Sequence, residues 1–295
     1  MRITAGHIIE LAAENTSRAQ SKVAEATQVA SSGLRVSVPS DDPVAWAAAQ
    51  RAKVREALGQ GRATTLSTSR DLVEQTDSAL ADIQSIISQA RVLAVEGASD
   101  SNTAATRADL GAAASSLFQA ALAAANSQSS NGEYLLAGDQ TQAAPFDAAG
   151  VYHGDAVART VNISEQGSHA IGVPGSALTA ANGVDVLPEL GKLATALSTN
   201  NLVGIQAALG TLQTATTQVS SARGQTGAAL SALNDAETSR QDLETHLGGV
   251  VSDLVEADTV TAASTLAQAT QTLDAAQTVT AHVISSLTAA LNAGA

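Results

Sequence analysis

Residues 66–94 read LSTSRDLVEQTDSALADIQSIISQARVLA, and within them Leu66, Val73, Leu80, Ile87 and Ala94 recur every seven residues. Ile83 and Ala90 fill the complementary positions. Seven residues make about two turns of α-helix, so these side chains share one face. Two apolar positions in every seven form the seam along which long helices pack nearly parallel. The fold is therefore expected to be mainly α.

Proline sets the limits of this reading. The five prolines stand at 39, 43, 145, 174 and 188, and the stretches 44–144 and 189–295 hold none. That is expected of helix interiors, where proline removes a hydrogen bond and clashes with the preceding turn. Before the quoted stretch, a helix is expected from about Ala5 to Ala30, stopping near Gly33, which suits a left-handed C-terminal position. A loop follows to Pro39, then Ser40-Asp41-Asp42-Pro43. Asp42 can accept from free N–H groups at a helix start and Pro43 suits the first helical position, so a second helix is expected to begin there. Gly59 and Gly61 mark a possible bend in it, each weakening the helix by roughly 1 kcal/mol relative to Ala. After Gly97-Ala98-Ser99-Asp100-Ser101-Asn102, a third helix is expected from about Thr103 to Ser127, with Leu110, Leu117 and Phe118 on its apolar side.

Character changes at Asn131-Gly132. Residues 132–191 hold nine of the 22 glycines, three of the five prolines, and Tyr134, Phe146 and Tyr152. Val157, Val161 and Ile163 alternate partly, so a hairpin and a small antiparallel β unit are expected over roughly 144–185. Helix is expected again from about Glu189 to Leu291. Leu243, Leu247, Val250 and Leu254 are spaced by fours and threes. After a shift of phase, Leu266, Ala269, Leu273, Ala276, Thr280, Val283 and Leu287 follow the same rule. Breaks are expected near Gly224–Gly227 or Gly248-Gly249.

Composition excludes several classes. The net charge of −13 argues against nucleic acid as partner, because phosphate binding needs a clustered basic surface. The charge is uneven. Residues 1–55 carry Arg2, Arg18, Lys22, Arg35, Arg51, Lys53 and Arg55 against five acids, whereas 224–295 carry Arg240 against eight. The plain reading is two solvated faces; the sharper one is that the arms complement each other, within a molecule or between neighbours. There is no cysteine, so thiolate and disulfide chemistry are excluded. No apolar run is long enough for a membrane span, and Glu10 and Glu14 interrupt any signal-peptide core. His7, His153, His169, His246 and His282 form no tight ligand pair, so no metal, cofactor or catalytic residue is expected. Asp41-Asp42 is explained as a helix cap more simply than as a metal-binding pair. No phosphate loop or GxSxG elbow occurs, and an enzyme is not expected.

Several segments then resemble the bacterial flagellin-like family, in its hook–filament junction branch, hook-associated protein 3. These are Met1-Arg2-Ile3-Thr4, Ser32-Gly33-Leu34-Arg35-Val36 with Pro39-Ser40-Asp41-Asp42-Pro43, and Arg91-Val92-Leu93-Ala94-Val95 with Asn102. To them add Gly132-Glu133-Tyr134-Leu135-Leu136-Ala137-Gly138 with Pro145-Phe146, then Tyr152, Gly154 and Asp155, and Asp253-Leu254-Val255-Glu256-Ala257-Asp258. Their order and spacing carry the resemblance, which is weakest across 160–220. Leu34 stands where a basic residue is commoner in the family. The GEYLLAG segment and the ending Leu291-Asn292-Ala293-Gly294-Ala295, which is not Leu-Leu-Arg, favour the junction branch over flagellin itself.

The resemblance implies a flagellin-like rod of long antiparallel helices formed by both termini, with a small β-rich inserted domain. It implies an inner coiled-coil domain from 1–43 and 255–295, a helical rod from 44–143 and 186–254, and an outer domain from 144–185. It implies export through the flagellar channel without signal cleavage, and extracellular assembly at the hook–filament junction. The implied partners are other copies in a ring, hook-associated protein 1, flagellin and an export chaperone, with no membrane insertion. The candidate assembly interface is Ile8, Leu266, Leu273, Val283 and Leu287; the structural cap is Ser40, Asp41, Asp42 and Pro43. Because the terminal stripes are rich in Ala and Thr, residues 1–40 and about 255–295 are expected to be mobile in the free monomer. The alternatives are a filament-forming flagellin and, from another class, a soluble signalling coiled coil, which the Gly/Pro-rich insert fits poorly. An enzyme secreted by an unusual route is third.

Overall fold

Where threes and fours alternate without proline, the backbone of the computed structural model is helical. The structure describes residues 5–163 and 167–293; the side chains of 5, 287 and 290 onward lie outside the description. Six α-helices are described: α1 (Ala5–Ser32), α2 (Pro43–Gly97), α3 (Ala104–Ala125), α4 (Val186–Ser198), α5 (Leu202–Val255) and α6 (Thr259–Ala293). One antiparallel pair, β1 (Thr160–Asn162) with β2 (Ser168–Ala170), sets Thr160 against Ala170 and Asn162 against Ser168. The chain forms two compact units, one from Gly59 to Asp242 and one from the end segments through Leu58 and from Leu243.

In the Gly59–Asp242 unit, the stripe Leu66, Val73, Leu80, Ile87 and Ala94 is buried, as are Ile83 and Ala90. Its partner on α5 is a second seven-residue ladder, Ile205, Leu212, Val219, Thr226 and Leu233, with Ala208, Ala215, Ala222 and Ala229 between its rungs, all buried. The helices run antiparallel: Arg223 grips Asp77 through Nε at 3.0 Å and Nη2 at 2.9 Å, and Gln84 donates to Ser220 at 3.1 Å. Thr226 sits in the apolar ladder because its hydroxyl donates to Asp77 Oδ1 at 2.9 Å and to the Arg223 carbonyl at 2.8 Å. The Arg223 hydrogen bonds hold the Asp77 carboxyl below the usual carboxylate range.

The α3 helix packs on α4 by its smallest residues. Thr103 caps it, its hydroxyl accepting from the Thr106 N–H at 3.2 Å. Its fully buried positions are Arg107, Gly111, Ala114, Ala121 and Ala125, while Leu110, Leu117 and Phe118 lie part-buried beside the core. The expected apolar side is present, but its centre is a strip of small residues and Arg107. A side chain at Gly111 would collide with the Ser198 hydroxyl and backbone, so small residues set the close approach and the large ones flank it.

Two expectations change. The helix after Glu189 breaks at Thr199–Asn201 and at Glu256–Asp258, not at the glycine pairs. Asn200 takes a left-handed φ of 56°, which asparagine tolerates better than most residues. Gly224, Gly227, Gly248 and Gly249 stay inside α5, and Gly59 and Gly61 stay inside α2. The β unit shrinks to the single short pair among the described residues, with Val157 in an exposed loop. Turns satisfy the backbone elsewhere in this segment.

Its organising side chain is Tyr152, whose ring packs 5.1 Å from that of Phe146. The hydroxyl is shared between the carbonyls of Asp155 at 2.5 Å and Leu136 at 3.2 Å. Burial, helped by the Asp155 charge, pushes the phenol up to about 12. A group whose pKa rises on folding stabilises fully below its unfolded value, near 10.0, and loses that contribution as pH climbs towards 12. Denaturation on either side of pH 10 should therefore show an alkaline decline that is shallower in Tyr152→Phe. Equal slopes would mean that the phenol does not titrate with folding.

Candidate assembly surface

Both ends of the chain meet at one joint, and the sequence around residue 33 builds it. Gly33 ends α1 at a φ of 69°, its N–H on the Val29 carbonyl at 2.9 Å. Its own carbonyl accepts from Ala257 N at 2.8 Å, and Arg35 N donates to the Val255 carbonyl at 2.8 Å. The Arg35 guanidinium reaches the Leu254 carbonyl at 2.6 Å. Beneath these bonds Val36, Ala45, Ala49 and Val255 are buried, with Trp46, Val251 and Leu254 packed against them.

Two aspartates shape the loop. Asp41 Oδ2 accepts from Ser37 N at 2.9 Å, Val38 N at 3.0 Å and the Ser37 hydroxyl at 3.2 Å. Asp42 Oδ1 accepts from Ala45 N at 3.0 Å and Val44 N at 3.2 Å, capping α2 just before Pro43. Ser40 is exposed in the intervening turn. Asp258 repeats the device for α6, accepting from Val260 N at 2.8 Å and Thr261 N at 3.2 Å. Backbone N–H groups, from Val38 for Asp41, Ala45 for Asp42 and Thr261 for Asp258, hold these carboxyls below the usual carboxylate range. A carboxyl lowered on folding stabilises above its unfolded value of about 3.8 and loses that contribution as pH falls through the folded value. Trp46, the chain's single tryptophan, reports on this joint. Its fluorescence should change on acidification below that range, and less so in Asp42→Asn with Asp258→Asn, which keep an acceptor but no titrating group. An unchanged acid profile would remove the caps as its cause.

From the joint, α1 and α6 run antiparallel, Thr16 and Thr280 hydroxyls meeting at 3.0 Å. The covered positions on α1 are Ala12, Thr16, Ala19, Val23, Ala26 and Val29; on α6 they are Ala262, Leu266, Ala269, Leu273, Ala276, Thr280 and Val283. Both follow threes and fours, so each helix turns one heptad seam to the other. Leu266, Leu273 and Val283 are thus brought together in one seam, half-buried. Ile8 stays exposed, with Ile9, Leu11, Val279 and Ile284. The Leu287 side chain lies outside the described residues, as do Met1-Arg2-Ile3-Thr4 and the side chains of the last five residues. Sequence reading missed the α1 half of the seam; its only signals are Val23 and Val29 among alanines and a threonine.

The chemistry of these surfaces is packing. Among the described residues no helix is long and apolar enough to cross a membrane, and no three His, Cys, Asp or Glu cluster as metal ligands would.

In this long-helical chain, whose two ends pair in antiparallel heptads, residues 7–141 match the family model of the bacterial flagellin N-terminal helical region. A curated relative, flagellar hook-associated protein 3 of Salmonella typhimurium, is 29% identical over 194 residues, 64% of this chain and 60% of its own length. The match thus spans less than two thirds of that relative. A Vibrio parahaemolyticus structure provisionally assigned to the hook-associated proteins superposes with a TM-score of 0.68 at 17% identity, over 73% of this chain and all of that one. FlgL of Bacillus cereus does so at 0.58 and 16%, over 68% and 96%. These structures show a shared fold. The chain is thus similar to flagellar hook-associated protein 3 and, over residues 7–141, to the N-terminal helical region of bacterial flagellin.

Proposed function

We propose that this chain is the junction adaptor between hook-associated protein 1 and the flagellin filament. It acts as a ring of copies outside the cell, after export through the flagellar channel without cleavage and with the help of an export chaperone. In this reading the inner layer is 1–43 with 255–295, the rod is 44–143 with 186–254, and the outer domain is 144–185. The observation that carries it is the α1–α6 pair. Its seam is thin, mostly Ala and Thr, and among the described residues six large aliphatic side chains of α1 and α6 remain exposed. Such a pair gains most when neighbours cover it, because burial then offsets the entropy of ordering. The hook-associated relative supports the junction over the filament.

The flagellin N-terminal match keeps one rival alive, a filament-forming flagellin. Adding purified chain to sheared filament seeds separates them. A junction adaptor binds ends without elongating; long filaments built from this chain would make it the flagellin.

A further inference from the structure

We infer that the outward stripe on the first turns of α2 docks on the end of α5 in a second copy of this chain. This rests on the assembly reading above and names a surface for it.

The first four turns of α2 carry two stripes. The inner one, Ala45, Ala49 and Ala52, is buried, and its first two residues belong to the Val36–Val255 cluster. The outer one is Val44, Ala47, Arg51, Val54 and Leu58, spaced by threes and fours and exposed throughout. Val44 is 79% exposed, Val54 60% and Leu58 62%. Singly, exposed aliphatics are ordinary, but three on one heptad stripe make a seam without a partner. Arg51 lies in this stripe and Arg55 beside it, and neither enters an ion pair among the described residues.

A matching stripe lies on α5. Leu243, His246, Val250 and Asp253 follow the same spacing, with Leu243 42% exposed and Asp253 exposed and, among the described residues, without an ion pair. Residues 243–295 hold Glu244, Asp253, Glu256, Asp258 and Asp274 and no Lys or Arg at all. An apolar stripe bearing arginine therefore faces its complement in an apolar stripe bearing aspartate. The two stripes do not meet within one copy, because there α2 and α5 meet through Ala45, Ala49, Val251 and Val255. Contact between copies joins different patches, so it is head-to-tail and can repeat around a ring. Opposite charges flanking the seam set register and partner.

The cysteine-free chain allows a direct test. Val54→Cys and Leu243→Cys are placed in separate full-length proteins, which are mixed under mild oxidation. We expect mixed disulfide dimers well above the statistical proportion. Arg51→Glu in the Val54→Cys copy should lower them several-fold, and Asp253→Arg in the Leu243→Cys copy should restore them. Both positions are exposed, so circular dichroism should be unchanged. No crosslink, equal homodimers, or indifference to Arg51→Glu would overturn the proposal. Failure of the junction reading is separate: mixed crosslinks together with normal filaments in a deletion strain would keep this contact and remove that role.

Discussion

Leu273→Asp is expected to abolish assembly while leaving the Gly59–Asp242 unit folded. Leu273 sits half-buried in the α6 seam, opposite a stripe of α1 that offers Ala12, Thr16, Ala19, Val23 and Ala26. Most of those side chains bury little area. A buried Leu contributes roughly 1.5–3 kcal/mol, so the few large residues of this seam supply most of what holds it. A carboxylate there removes that contribution and must also stay hydrated, which opens the pair. Leu273→Met, of similar volume, should assemble nearly as wild type. Assembly is read as incorporation into flagella, and folding as the unfolding transition of the remaining chain. Normal incorporation of Leu273→Asp would show that the seam is not needed. Hydrogen exchange on the free chain reads the same weakness: amides of α1 and α6 should exchange well before those of residues 73–94. Strong protection of both ends at low concentration would contradict this.

Arg107→Leu should cost roughly 3–5 kcal/mol, the upper range for single substitutions. Arg107 is only 5% exposed. Its Nε donates to the Gly97 carbonyl at 2.8 Å, Nη2 to the Ser99 carbonyl at 2.8 Å and Nη1 to Asn200 Oδ1 at 2.7 Å. One guanidinium thus ties the end of α2 and the turn after it to the α4–α5 turn. Hydrogen bonds to charged groups contribute roughly 1.5–3 kcal/mol each, and removing the donor leaves buried acceptors unpaired. Arg107→Lys should recover only part, because an ammonium does not present the planar fork that three separate acceptors require. Urea denaturation of the full chain measures the difference. A loss below about 1 kcal/mol would mean that water replaces the guanidinium at little cost.

Most of the long helices were legible from two signals, heptad spacing and the placing of proline. The stripe from Leu66 to Ala94 and the start at Pro43 could be read because those residues have few other uses. What stayed hidden had a polar residue where a pattern asks for an apolar one. Thr226 interrupts the α5 ladder, and only Asp77, 149 residues away, explains it. Arg107 occupies the buried face of α3 by pairing with carbonyls that no local pattern reveals. Glycines misled in the other direction. Gly224 and Gly249 suggested breaks, yet a long helix tolerates each at roughly 1 kcal/mol, while Asn200 supplies the left-handed turn. The β expectation holds only as the short β1–β2 pair, because alternation over three positions is too short to tell how far a strand extends, and Val157 lies in a loop. For the candidate surface, the α6 seam was readable from Leu266 and Leu273. Its α1 side was not, since alanine is common on every face of that helix.

The central claim is that this chain joins hook to filament. An in-frame deletion examined by negative-stain electron microscopy, with a flagellin blot of the medium, tests it most directly. The account predicts hooks without filaments and flagellin shed into the medium. Intact filaments on cells lacking this chain would contradict it.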